Sequence, residues 1–200
     1  MDISRRAFTH AGVMGLAGVV ASSYVPTVSA QQATQNNLPS QFLDWIDAYQ
    51  KAHPEIRQPD SNTIKYEEPG KLRVEVHYRP SGENFIEVVV QEDKVRYTAK
   101  ITGAHIQYFS ISEYYQGGHF SNPSFSIDVI LDHYYFDANN RIVSHNKNRL
   151  VTVDRIFKSY EGDGPQDLDT ISPEQRAKIQ ERFNGQFSRF FEILTDKIKN

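Results

Sequence analysis

The chain has 200 residues, 22 of them basic and 25 acidic, for a net charge of −3, and it contains no cysteine. So mild and mixed a balance excludes a nucleic-acid protein with a basic footprint and a polybasic membrane binder, and the absent cysteines exclude disulfides and a cysteine-linked lipid anchor. The length suits one main domain with a core that needs no covalent staples.

The first 30 residues have their own pattern. Arg5 and Arg6 follow Ser4, and Phe8 stands two places after the second arginine. A weakly apolar stretch rich in Gly and Ala follows from residue 11 to 25. It is short of the roughly 20 residues that span a bilayer. Val28, Ser29 and Ala30 then place small side chains before Gln31, as a signal peptidase requires. This order resembles a twin-arginine signal peptide over residues 1–30. The resemblance implies export of the folded chain by the twin-arginine translocase, cleavage after Ala30, and a soluble periplasmic or secreted product with no stable membrane anchor. It implies no cofactor, and none is expected. Losing Asp2, Arg5 and Arg6 makes the net charge one unit more negative, which leaves the exclusion of nucleic acid unchanged.

Residues 31–37 are polar and unpatterned and read as a flexible leader to a single domain over 38–200. Pro39 suits a first helical turn. Phe42, Leu43, Trp45, Ile46 and Tyr49 recur at helical spacing to Ala52, and Pro54 ends the helix. Residues 54–62 read as a loop. Leu72, Val74, Val76 and Tyr78 then alternate with Arg73, Glu75, His77 and Arg79, which predicts a half-buried strand with one wet face. Phe85 to Gln91 turns Ile86, Val88 and Val90 inward. Val95, Tyr97, Ala99 and Ile101 form the next strand, and short turns join these three as an antiparallel meander. Strands follow over 106–113, 125–136 and 148–157, with a hairpin turn at Asp137 to Asn140. An acidic segment from Glu161 to Thr170 reads as loop. Ser172, Pro173 and Gln175 carry a capping-box start, and Phe183, Phe187, Phe190 or Phe191, Leu194 and Ile198 make an apolar stripe.

The order predicts an α+β domain with an N-terminal helix, a curved antiparallel sheet of five to six strands, and a C-terminal helix packed on it. With both helices on the concave face, the outline is similar to cystatin-like and NTF2-like shapes. That similarity is one of shape and carries no function.

Candidate chemistry is sparse. After the signal, the histidines are His53, His77, His105, His119, His133 and His145. Candidate metal ligands are His105, His119 and His133, although neither helical ligand spacing nor a His-Glu-x-x-His pattern is present. For acid–base catalysis the candidates are His105 with Asp128 or Asp132, and His133. Neighbours Asp132 and His133 point to opposite faces of a regular strand and cannot form one dyad. His133 shares its face with Val129, Leu131 and Tyr135. The segment Tyr114, Tyr115, Gln116, Gly117, Gly118, His119 and Phe120 resembles a binding loop, and Tyr114, Tyr115, His119, Tyr134 and Tyr135 are the candidate ligand-binding residues. Tyr134 and Tyr135 place one ring on each face of their strand. The acidic loop fails the calcium-loop pattern at Pro165 and Leu168. Nucleophile elbows, phosphate loops and dinucleotide fingerprints are absent.

The sequence therefore favours an exported binding or accessory protein with a small-molecule or protein partner. The alternatives are a small cup-shaped enzyme using a His-Asp pair, and a metal-handling protein. The export reading predicts that replacing Arg5 and Arg6 together by Lys leaves uncleaved chain in the cytoplasm on an immunoblot of cell fractions. Wild-type export of that double variant would refute it.

Overall fold

In the computed structural model the described residues are 37–198, apart from 81, 83, 117–125 and 154–155. Helix α1 spans Leu38–Ala52, and a short 3-10 helix covers Pro54–Arg57. Eight strands follow: β1 (Ser61–Glu68), β2 (Leu72–Arg79), β3 (Phe85–Glu92), β4 (Val95–Thr102), β5 (His105–Gln116), β6 (Ser126–Phe136), β7 (Ile142–Val153) and β8 (Ile156–Asp167). Helix α2 closes the order at Pro173–Lys197. All eight strands form one antiparallel sheet in chain order, β1 to β8.

The fold class is α+β with an antiparallel sheet, but there are eight strands rather than five or six. The two additional strands are the edges. β1 carries only Ile64 and Tyr66 as apolar residues and has a register shift between them. β8 contains Gly162, Gly164 and Pro165, which an edge strand tolerates because one of its backbone rows needs no partner. Both therefore have the composition of loops. The strand expected over 148–157 straddles two elements, since β7 runs to Val153 and β8 begins at Ile156.

Local chemistry sets the element ends. The capping box of α2 is complete: the Gln175 N–H donates to Ser172 Oγ at 3.2 Å, and the Ser172 N–H donates to Gln175 Oε1 at 3.1 Å. Asn140 takes a positive φ of 58° in the β6–β7 hairpin. Its Oδ1 accepts the Ile106 N–H at 2.8 Å, tying that hairpin to β5.

Both helices pack on one face of the sheet. There Val74, Val76, Val88, Val90, Ala99, Phe109, Ile111 and Tyr134 meet Phe42 of α1 and Phe183, Phe187 and Phe190 of α2. Helix α2 crosses the strands. Arg182 reaches Asp132 on β6, Arg189 pairs with Glu92 on β3, and the Lys197 ammonium stands over the Tyr66 ring on β1. Its 25 residues extend roughly 37 Å, close to the roughly 34 Å width of eight strands.

Phe109 sits at the centre of this packing. Its ring lies 5.0 Å from Phe187, 5.4 Å from Phe190 and 5.8 Å from Phe183, and it also meets Tyr97 and Tyr134. Phe109→Ala is expected to destabilise the protein by about 3–5 kcal/mol. Urea unfolding followed by circular dichroism checks this, and a loss under about 1 kcal/mol would remove Phe109 from the centre of the core.

Candidate functional site

Successive side chains on a strand point to opposite faces, so the register divides every candidate between the helix-covered face and the open face. On β6, Asp132, Tyr134 and Phe136 face the helices, while Leu131, His133 and Tyr135 face away. Tyr134 is buried and Tyr135 is exposed, one ring on each face as their adjacency requires.

The helix-covered face holds a buried polar cluster. Asp132 is 2% exposed. His145 Nε2 donates to Asp132 Oδ1 at 2.5 Å, and Arg182 Nε pairs with Oδ2 at 2.7 Å. Gln186 Nε2 donates to Oδ2 at 3.4 Å, while Gln186 Oε1 accepts from the Tyr134 hydroxyl at 2.7 Å. Burial alone would raise the Asp132 pKa, but the hydrogen bond from His145 and the Arg182 charge together hold it below the usual carboxylate range. An ionised carboxylate only accepts hydrogen bonds, so His145 keeps its proton on Nε2. Every oxygen of this pair faces a structural partner. The cluster joins β6 and β7 to α2.

The partner of Asp132 is thus His145, not His105. His105 begins β5, six residues before Ile111, which lies opposite Asp132. At roughly 3.3 Å per residue this separates them by about 20 Å. Asp128 lies opposite Tyr115 in β6, and its side chain falls outside the described residues. His119, with Gly117 and Gly118, also lies outside them. Among the described residues no three His, Asp or Glu side chains are grouped to hold a metal ion. Tyr115 faces the helix side near the end of β5, and its hydroxyl donates to Glu113 at 2.7 Å. Tyr114 faces the open side with His133 and Tyr135.

The open face is mostly polar. Across it the register aligns Glu75, Val89, Thr98, Ser110, His133 and Asn146, from β2 to β7. The first four are buried although neither described helix covers this side. Val89, Thr98 and Ser110 are short, and longer neighbours two residues away on the same strands overtop them: Glu87 and Gln91, Arg96 and Lys100, and Tyr108. This line of short, buried side chains between longer ones runs across the strands and is called the trough below. At its β2 end Glu75 Oε2 accepts from His77 Nε2 at 2.6 Å, and Arg73 pairs with the other carboxylate oxygen. In its flank the Tyr108 hydroxyl donates to Glu87 at 3.4 Å. Burial pushes the His133 pKa below the ordinary histidine range, although Asp132 on the other face pulls it up. The ring is therefore neutral at pH 7.

The alternation of β2 assigned Glu75 and His77 to a wet face, and they are on the open face but buried. Alternation of one strand gives the face. Burial on it comes from the heights of side chains on neighbouring strands, which only the register supplies.

No protein-family model, no curated protein and no solved structure matches the chain. The site is therefore read from its own chemistry.

The lowered pKa of Asp132 means that folding favours its ionised form. Its contribution to stability is present above the unfolded carboxylate pKa of about 3.9 and is lost as pH falls through the folded value. Asp132→Asn is expected to destabilise the protein at pH 7, with the gap from wild type closing toward pH 3. Denaturant midpoints at the two pH values test this, and a gap of constant size would contradict it.

Proposed function

We propose that this protein binds a polar ligand in the open-face trough and performs no chemistry on it. The observation that carries this reading is the buried polar floor. Polar side chains are seldom enclosed on an uncovered sheet face, and sites for small ligands are concave with a few convergent polar groups. Glu75, Thr98 and Ser110 line such a concavity, with His133 and Asn146 continuing the same line. The twin-arginine resemblance supports binding outside the cytoplasm, in the periplasm or beyond the cell.

A second reading has one specific support. His77 and Glu75 form a hydrogen-bonded acid–base pair at the trough floor, the kind of pair a small trough-shaped enzyme would use. In that case His77→Gln abolishes turnover of a bound molecule while its affinity persists. In the binding reading the same variant changes affinity alone.

Native mass spectrometry of the exported protein, compared with its denatured mass, tests the main reading. The wild type is expected to retain a non-covalent mass that Ser110→Trp, which fills the floor, releases without a large fall in melting temperature. A folded Ser110→Trp that keeps the same mass would end the trough reading.

A further inference from the structure

We propose that the β5–β7 end of the trough is a subsite for a short neutral oligosaccharide, a reading that rests on the trough being the binding surface. Charge divides the trough into two halves. Arg73, Glu75, Glu87, Arg96 and Lys100 all belong to β2, β3 and β4. Among the described side chains that face the open side on β5, β6 and β7, from 108 to 114, 129 to 135 and 144 to 150, there is no Asp, Glu, Lys or Arg. His133 is the only titratable imidazole there, and burial keeps it neutral. Such a surface has no counter-charge for an anion or a cation, yet it offers hydrogen bonds.

The hydrogen bonds are incomplete within the protein. Asn146 Oδ1 and Asn148 Oδ1 are both buried without a partner, and Asn148 as a whole is 3% exposed. A buried polar atom left unpaired is costly, because it has lost its water without gaining a partner. The two asparagines are two residues apart on one face of β7, so they stand roughly 7 Å from each other. Their χ2 torsion is broad and twofold, so either amide can turn without leaving its rotamer well. Asn148 lies over Gly162 of β8, where any side chain would collide with it. The glycine leaves Asn148 the space it occupies.

An apolar surface stands beside these acceptors. Tyr135 is 38% exposed, with His133 edge-on at 6.4 Å and Tyr108 inclined at 6.4 Å. A held ring with one open face suits the C–H side of a sugar ring. Ser110 and Asn146 flank the strand neighbour of Tyr135, His133, and lie diagonal to that ring, while Asn148 stands roughly 13 Å along β7 from the residue opposite Tyr135, at the reach of a second sugar unit; each asparagine can both accept and donate. A neutral polyol with an apolar ring face matches the three features together: no charge, orphaned acceptors and an exposed aromatic face.

The test is an array of neutral and acidic glycans probed with the full exported protein, followed by calorimetric titration of the best neutral oligosaccharide. Binding to neutral glycans is expected, with Tyr135→Ala and Asn148→Leu each weakening it at least tenfold. Asn148→Leu is expected to keep or raise the melting temperature, because it removes an unpaired acceptor; a purely structural asparagine would lower it and leave affinity unchanged. An array without neutral binders, or with acidic glycans alone, overturns the saccharide assignment. If Ser110→Trp still releases a retained mass in that case, the trough reading stands without it; if no mass is retained either, both fall.

Discussion

The packing of α2 across the sheet through Phe109 is the constraint from which the rest of the molecule follows. The Phe109 ring touches three phenylalanines of one helix and a tyrosine on each neighbouring strand. It fixes which face of every strand is inside, because a one-residue slip in any strand would move its whole apolar set to the other side. Helix α1 adds little to that choice. It is seated by Phe42, whose ring meets Phe187, Phe190 and Phe191 of α2.

Once the inside is fixed, the two faces acquire different work. The helix-covered face places a carboxylate in the core, and there Arg182 balances the charge of Asp132 while His145 and Gln186 donate hydrogen bonds to its oxygens. Such a network adds less net stability than its contacts suggest, since charges removed from water regain only part of their lost hydration. Neither described helix reaches the open face to satisfy it. Its polar residues bond sideways along and across strands, as with His77 and Glu75, or remain unpaired, as with the two asparagine oxygens of β7.

Much of the helix-covered face was legible from the amino-acid order. The stripe of α2 appears as Phe183, Phe187, Phe190 and Leu194, its capping box as Ser172 and Gln175, and the inner set of β2 and β3 as alternating valines. The edge strands were not legible, because an edge needs neither continuous apolar residues nor a complete set of donors. β8 could therefore hold Pro165 where a central strand could not. The candidate site was legible only in part. His133 and Tyr135 share one face by strand parity, whereas Tyr114, expected in a loop, joins them only through the β5–β6 register. His145 is 13 positions from Asp132, and Arg182 and Gln186 lie one turn apart on a distant helix; no local spacing joins them. Glu75, Thr98 and Ser110 were not legible, because their burial is a property of strands in register rather than of any one strand.

The order of elements along the chain has a consequence for biogenesis. All eight strands precede α2, and the helix alone carries most of the aromatic cover for their inner face. During synthesis the sheet residues leave the ribosome before that cover exists. Until α2 emerges, the nascent chain can show its valines and Phe109 to water or to a chaperone, and unpaired strand edges make such a species prone to association. The arrival of α2 thus marks the moment at which the chain becomes safe to release, and any route that moves the protein in finished form must wait for it.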